Sequence, residues 1–125
     1  MKLFLGIDVG SVSTNVVLIN QQGKIVEKLY IRSQGNPVGS VQRGLLQISK
    51  KLKDFEIAGV GTTGSGRQLI GSLLGADLIK NEITAHAIAC LNLEPEVRTI
   101  IEIGGQDSKL ILIRDGIVSD FAMNT

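Results

Sequence analysis

The chain has 125 residues, of which 43% are hydrophobic and 20% charged, a composition typical of one compact unit and unlike a disordered segment. Thirteen basic and twelve acidic residues give a net charge of +1, and only 3% are aromatic, which argues against nucleic acid or a membrane surface as a partner. No apolar run is long enough for a signal peptide or a membrane span, and the single Cys90 excludes an internal disulfide. We therefore expect a cytoplasmic protein.

Apolar residues recur at strand and helix spacing along the chain, which predicts an α/β protein. Leu3 to Val9 alternate in polarity and place Asp8 at the end of the first strand, directly before Gly10. Tight turns between the first three strands predict an antiparallel meander. The predicted elements are strands over 3–9, 16–19, 25–32, 57–61, 99–103, 110–113 and 117–121, and helices over 38–52, around 69–74 and from 81 to 91.

The chain repeats its opening pattern once. When the sequence is shifted by 94 residues, residues 7–10 lie over residues 101–104, and residues 16–19 lie over residues 110–113. Both copies read as strand, acid, glycine turn, apolar strand, tight turn and strand, which is typical of duplicated units. Any two β-meanders share part of this pattern, but the acid and the glycine at the same offset favour a true repeat.

The second copy has fewer elements than the first. We expect residues 1–95 to form a complete first unit and residues 96–125 to form the opening β-meander of a second, truncated one. A three-stranded sheet with an apolar face needs a covering layer. We therefore expect the chain to be a piece of a longer protein, with a second sheet that lacks covering helices and drives self-association. The alternative is that this sheet folds back onto the helices of the first unit.

A carboxylate at a strand end, followed by a glycine turn, suits the binding of phosphate and metal. The backbone N–H groups of the turn at Gly10 can approach an anion closely, because glycine has no side chain. The hydroxyls of Ser11, Ser13 and Thr14 add donors. Asp8 is then placed to hold Mg²⁺, directly or through water. A strand that simply ends in a turn would give the same pattern.

The second copy supplies the same kinds of group. Glu102 takes the place of the acid, and Gly104, Gly105, Gln106 and Asp107 form the turn. Two such hairpins facing each other would hold a polyphosphate and its metal. The presence of two copies favours phosphate binding over a structural turn.

A third glycine-rich segment, residues 61–67, ends in Arg67 and lacks the Lys-Ser/Thr ending of a Walker A loop. It is interpreted either as a loop facing a cleft, with Arg67 in contact with an anion, or as a permissive strand-to-helix turn. The following helix is expected to bury four residues, Leu69, Ile70, Leu73 and Leu74. His86 is expected to be structural, and Cys90 to be a small core residue.

Residues 5–11 (LGIDVGS) and 101–109 (IEIGGQDSK), together with residues 61–67, 82–87 and 121–124, resemble one known family. These segments are similar to the BadF/BadG/BcrA/BcrD ATPases, the activators of 2-hydroxyacyl-CoA dehydratases and benzoyl-CoA reductases. That family belongs to the ATPase superfamily of actin, hexokinase and Hsp70. The resemblance extends along the whole chain.

The resemblance implies a ribonuclease H-like (actin-like ATPase) fold, in which three antiparallel strands lead a mixed sheet flanked by helices, followed by the first strands of a second such unit. It implies that residues 8–14 and 102–107 are the two phosphate hairpins and that ATP or ADP binds with Mg²⁺. Asp8 and Glu102 are then the metal residues, and Glu102 and Gln106 the catalytic ones. Glu102 stands where many superfamily members carry Asp.

The resemblance also implies a homodimer that couples ATP hydrolysis to electron transfer into an acyl-CoA dehydratase or reductase. Family members hold one [4Fe–4S] cluster between subunits, with two cysteines from each. Those cysteines and the adenosine-binding motif are expected beyond residues 123–124. The cluster is thus expected in the full-length parent and not in this chain, and this piece alone is expected to be inactive.

Three other classes share parts of the pattern. A sugar kinase of the same superfamily would need a catalytic acid and sugar-binding groups that do not stand out in this sequence. An actin-like regulatory protein would use nucleotide only to switch assembly. A RuvC-like nuclease shares the acid of the first strand but needs several clustered carboxylates. A cysteine shortly after residue 125 and an adjoining dehydratase gene would favour the activator.

Overall fold

The computed structural model describes residues 1–124. The strands and helices of these residues, in chain order, are β1 (Lys2–Val9), β2 (Ser13–Ile19), β3 (Ile25–Arg32), α1 (Pro37–Lys51), β4 (Glu56–Thr63), α2 (Arg67–Leu74), β5 (Leu78–Ile79), α3 (Glu82–Leu93), β6 (Thr99–Ile103), β7 (Ser108–Arg114) and β8 (Ile117–Asn124). In this part of the chain, each helix is too short or too polar to cross a lipid bilayer.

The first five strands form one mixed sheet in the order β3-β2-β1-β4-β5. Strand β1 pairs antiparallel with β2 and parallel with β4, and β2 pairs antiparallel with β3. The predicted antiparallel meander leading a mixed sheet is therefore confirmed. The two-residue strand β5 was not predicted, because two residues are too few to show an alternating pattern.

Helices α1 and α2 cover one face of this sheet. The alternation of β1 turns four apolar side chains toward that face, where side chains of β2, α1 and α2 pack against them. This core consists of Leu3, Leu5, Ile7, Val9, Val16, Leu18, Val41, Ile48 and Ile70. Asp8 is on the opposite face, since neighbouring strand residues point to opposite sides. The core therefore fixes the direction in which Asp8 points.

Helix α2 buries fewer residues than its sequence suggests. Ile70 is 1% exposed and Leu74 is partly buried, whereas Leu69 and Leu73 are 51% and 60% exposed. Residues 70 and 74 are four apart and share one stripe of the helix, while residues 69 and 73 lie on the neighbouring stripe. The prediction that all four leucine and isoleucine side chains face inward was wrong for Leu69 and Leu73.

Residues 81–124 form the second compact unit. The boundary between the units lies between Lys80 and Asn81, because residues on each side contact mainly residues of their own unit. Its sheet has the order β6-β7-β8, and α3 covers one face through a core of Ile83, Ala87, Ile100, Ile111 and Ile113. The division comes earlier than the boundary predicted after residue 95, because α3 packs on β7 and β8. The second sheet thus has a covering helix on one face, which agrees with the alternative expectation and not with an uncovered sheet.

The other face of the second sheet is exposed. Ile101 and Ile103 are 71% and 81% exposed, and Leu110 and Leu112 of β7, on the same face, are also exposed. By the 94-residue repeat, Ile101 and Ile103 correspond to Ile7 and Val9, which α1 and α2 bury in the first unit. Helix α3 thus covers the face that corresponds to the Asp8 side of the first sheet.

Candidate phosphate-binding site

The two glycine hairpins have the same backbone hydrogen bond. The Gly10 N–H donates to the Ser13 carbonyl at 2.9 Å, and the Gly104 N–H donates to the Asp107 carbonyl at 2.8 Å. Both the donors and the acceptors are 94 residues apart, as the sequence repeat requires. A Cβ on Gly10 would lie 3.0 Å from the Ser13 carbonyl oxygen, so the tight turn favours glycine there. The 94-residue repeat is therefore present in the structure as well as in the sequence.

Asp8, the penultimate residue of β1, has a polar neighbour on each side. In the sheet register it lies opposite Asn15 of β2 and opposite Thr63 of β4. Paired residues project to the same face, so the side chains of Asp8, Asn15 and Thr63 form one polar row, which Ser13 extends along β2. This row lies at the carboxyl end of β1 and β4, the usual place for a ligand in a sheet with parallel strands.

The loop after β4 closes against the end of β1. Gly64 has a φ of +93°, and a Cβ on it would lie 2.6 Å from Asp8 Oδ1 and 2.5 Å from the Val9 carbonyl oxygen. The Gly66 N–H donates to the same Val9 carbonyl at 2.9 Å. Only glycine allows the loop to approach the Asp8 carboxylate this closely. The glycine-rich segment is thus a wall of the Asp8 site.

Arg67 stabilises this loop. Its Nη1 donates to the Gly64 carbonyl at 3.1 Å, and its own carbonyl accepts from Thr62 Oγ1 at 3.0 Å. Both bonds hold the segment in its turn. The structural interpretation of Arg67 therefore accounts for its contacts, and an anion contact stays a prediction.

The floor in front of the polar row is made of glycine. Gly6 and Gly61 are paired in the sheet and lie on the same face as Asp8 and Thr63. A Cβ on Gly6 would meet no atom within 4 Å, and one on Gly61 would meet only Leu78, at 3.8 Å. Open space therefore lies over Gly6, on the same face of the sheet as Asp8.

Thr14 does not join this site. It is fully buried on the opposite face, where its Oγ1 bonds to Ser33 Oγ at 3.0 Å. Ser33 Oγ donates in turn to the Gly10 carbonyl at 2.7 Å. The Thr14 hydroxyl was predicted to donate to phosphate, and this is wrong because strand alternation turns it into the core. Its role in the structure is to brace the hairpin from behind, while Ser11 is exposed at the hairpin tip.

The second hairpin contains a buried lysine that the sequence interpretation did not select. Lys109 is paired with Glu102 in the sheet, and its side chain is only 3% exposed. Its ammonium lies 2.7 Å from Asp107 Oδ1, 3.0 Å from Glu82 Oε2 of α3 and 3.1 Å from Glu102 Oε2. Glu102 Oε1 also lies 3.9 Å from His86 Nε2. Glu102 and Asp107 are therefore held by Lys109, whereas Gly104, Gly105 and Gln106 are exposed.

The Lys109 cluster carries more negative than positive charge. Burial on its own lowers the pKa of Lys109, but hydrogen bonds to Asp107, Glu82 and Glu102 outweigh burial and raise it well above its ordinary value. Lys109 is therefore a cation at neutral pH, and three carboxylates share it. These contacts join the start of α3, the end of β6 and the start of β7.

A signal for this cluster was present in the sequence. Lys109 precedes Ile111 and Ile113 at the two-residue spacing of a strand, so it occupies the buried face of β7. A lysine in such a position needs acidic partners. Glu82 could not be identified in this way, since its contact with Lys109 depends on where α3 packs.

The two acids predicted to hold metal have different surroundings. Asp8 belongs to the first unit, beside the glycine loop after β4, while Glu102 belongs to the second unit and contacts Lys109. Within residues 1–124, no group of three or more His, Cys, Asp or Glu side chains is arranged to hold a metal ion.

Comparison with known proteins reveals similarity along the whole chain. The activator of lactoyl-CoA dehydratase from Anaerotignum propionicum is 38% identical over 124 residues, which is 96% of this chain and 46% of that protein. The crystal structure of component A of (R)-2-hydroxyglutaryl-CoA dehydratase from Acidaminococcus fermentans matches 99% of this chain and 48% of its own, with 31% identity and a TM-score of 0.78. The activator of 2-hydroxyisocaproyl-CoA dehydratase from Clostridium difficile, with bound ADPNP, matches 98% of this chain and 45% of its own, with 30% identity and a TM-score of 0.79.

The fold class follows from these matches. Their similarity confirms an actin-like ATPase fold with a mixed sheet flanked by helices. The chain spans about half the length of the curated relatives it matches. The sequence profile of the BadF/BadG/BcrA/BcrD ATPase family matches residues 5–125, and the chain belongs to that family.

Proposed function

We propose that this chain binds the phosphates of a magnesium nucleotide and is the N-terminal part of an ATP-dependent activator. The whole protein would drive electron transfer into a 2-hydroxyacyl-CoA dehydratase or a benzoyl-CoA-reductase-type enzyme in the cytoplasm. The single observation that carries the phosphate site is the Asp8 carboxylate, beside a closed glycine hairpin and an open glycine floor. Family membership and the relative with bound ADPNP support the nucleotide.

The names of this chain's relatives favour an activator over a sugar kinase or an actin-like regulator. The proteins from Anaerotignum propionicum and Acidaminococcus fermentans are named as an activator and an activating ATPase of acyl-CoA dehydratases. A dehydratase component is therefore the partner that we propose for the whole protein. A sugar kinase and an actin-like regulator have no comparable support.

The residues at the first hairpin fit Mg²⁺. Its preferred ligands are hard oxygens, and Asp8 offers a carboxylate, with the remaining ligands coming from phosphate and water. When bound, the ion would neutralise charge on the phosphates. Asp8 would hold the ion directly or through water, and the Gly10 turn with Ser11 and Ser13 would orient the phosphates.

The second hairpin would contribute in a different way. Gly104, Gly105 and Gln106 are exposed and form the proposed second phosphate turn. Glu102 and Gln106 are the proposed catalytic residues, and the contact with Lys109 fixes the position of the Glu102 carboxylate. For Glu102 to act on a metal, one of its oxygens would have to face away from Lys109.

The residues of this chain do not fit an iron–sulfur cluster. A [4Fe–4S] cluster is usually held by four cysteine thiolates, and Cys90, the single cysteine, is half-buried on α3. No step of the proposed function on this chain therefore runs through a cluster. A cluster in the whole protein stays an expectation from its family.

Substitution of Asp8 tests the phosphate site. We expect Asp8→Asn to weaken the binding of ADPNP in the presence of Mg²⁺, measured by isothermal titration calorimetry. The loss should be at least the roughly 10- to 100-fold by which loss of a metal's outer-shell partner lowers affinity. Asp120→Asn is the control, because Asp120 is exposed and far from Asp8 in the sequence. Asp120 accepts a hydrogen bond from the Phe121 N–H, which the oxygen of an Asn side chain can also accept. Equal affinity in both variants would contradict the assignment of Asp8.

A further inference from the structure

The hydroxyl of Thr63 is the one buried side-chain polar atom among residues 1–124 that has no hydrogen-bond partner. Leaving such a group unpaired is costly, and native structures contain few of them. The neighbouring threonine behaves differently, since Thr62 Oγ1 donates to the Arg67 carbonyl at 3.0 Å. A buried hydroxyl without a partner needs a specific explanation.

The position of Thr63 supplies that explanation. Thr63 ends β4 and lies directly opposite Asp8 in the parallel ladder, so both side chains project from the same face of the sheet. The next residue, Gly64, brings the loop against Asp8 Oδ1, and Gly6 and Gly61 leave the floor in front of the pair open. The hydroxyl therefore lies on the face of the sheet that carries Asp8, beside the residue proposed to hold the metal.

We infer that Thr63 is a further binding residue of this site and that its Oγ1 donates a hydrogen bond to a phosphate oxygen of the nucleotide. This inference rests on the proposed function. A hydroxyl is a suitable donor for an anionic oxygen, because it adds no charge beside the Asp8 carboxylate and its metal. Such a bond forms only with ligand present, so the free protein bears the cost of the unpaired hydroxyl and the bound protein does not.

This arrangement predicts opposite effects of one substitution on stability and on binding. Thr63→Val keeps the shape of the side chain and removes the hydroxyl. In the free protein we expect the unfolding midpoint to stay the same or to rise, since an unpaired buried polar group is lost. The affinity for ADPNP with Mg²⁺ is expected to fall roughly 10- to 150-fold, the range for a hydrogen bond to a charged group.

Two further variants distinguish the effect of the Thr63 hydroxyl on affinity from effects of side-chain packing and of the backbone. Thr63→Ser keeps the hydroxyl and is expected to bind within about threefold of the unchanged chain. Thr62→Val is the matched control on the other face, and it is expected to lower the unfolding midpoint, because it breaks the bond to Arg67, while leaving affinity within about threefold. Calorimetric titration of the whole protein with ADPNP and Mg²⁺ measures the affinity. Thermal unfolding of the same protein without ligand measures the unfolding midpoint.

The outcomes distinguish the inference from the proposed function. If the whole protein binds ADPNP and Thr63→Val binds equally well, the hydroxyl makes no bond to the nucleotide and the inference is overturned while the proposed function stands. If Thr63→Val loses affinity and thermal stability together, the hydroxyl has a structural partner and the inference is again overturned. Absence of binding to the whole protein would overturn the proposed function and the role of Thr63 with it.

Discussion

Replacing Lys109 by methionine gives the sharpest test of the second unit. The substitution keeps a long unbranched side chain but removes the cation that Glu82, Glu102 and Asp107 share at 2.7–3.1 Å. Removing one partner of a buried ion pair costs about 3–5 kcal/mol, because the remaining charges stay uncompensated. The three carboxylate side chains retain 24–28% exposure, and water therefore relieves part of the repulsion. We expect a loss near the lower end, about 3 kcal/mol.

Hydrogen exchange of the β7 amides is the suitable assay. The chain has no Trp, and its single Tyr30 belongs to the first unit, so intrinsic fluorescence would not report on the second. A loss of about 3 kcal/mol corresponds to a decrease in amide protection of roughly 150-fold. Lys51→Met is the matched control, since Lys51 forms an exposed ion pair with Glu27 at 3.4 Å. Its expected cost is below about 1 kcal/mol.

Two results would refute this reasoning. One is a decrease in β7 protection for Lys109→Met that is no larger than the decrease in β3 protection for Lys51→Met. The other concerns charge: adding Glu82→Gln to Lys109→Met removes one of the three negative charges and is expected to restore part of the protection. If it restores none, lost packing and not charge repulsion explains the effect.

Three further predictions concern pH, iron and association. The pKa of Lys109 is raised above 10.5 in the folded state, so its contribution to stability is complete below pH 10.5 and is lost as pH rises through the folded-state value. Base titration followed by circular dichroism should show this loss, and Lys109→Met should lack it. Anaerobic reconstitution with iron and sulfide is expected to give no cluster absorbance above background, and a stoichiometric cluster would contradict the structural role of Cys90. Light scattering is expected to show self-association through the exposed face that contains Ile101 and Ile103, since burying each such side chain gains about 1.5–3 kcal/mol. A compact monomer at high concentration, with residues 99–121 protected from exchange, would contradict that prediction.

Local patterns in the sequence determined most of the fold. Alternation in β1 identified both the core face and the opposite position of Asp8. The Asp115-Gly116 pair predicted the last hairpin, and both residues have positive φ values, 54° and 74°, as its tight turn requires. The 94-residue repeat predicted two equivalent hairpins, and the Gly10 and Gly104 hydrogen bonds confirm it. Each of these features depends on residues close together in the chain or on the period of a single element.

Features that join distant segments were decided only by tertiary structure. The sequence could not show that α3 covers the second sheet or that Glu82 meets Lys109, because those contacts depend on how a helix docks. Nor could it show that Thr14 turns into the core while Thr63 joins Asp8, since one residue of register moves a side chain to the other face of a sheet. Composition and period determine which elements form. The pairing of strands, set by burial of one face, determines which polar groups share a site.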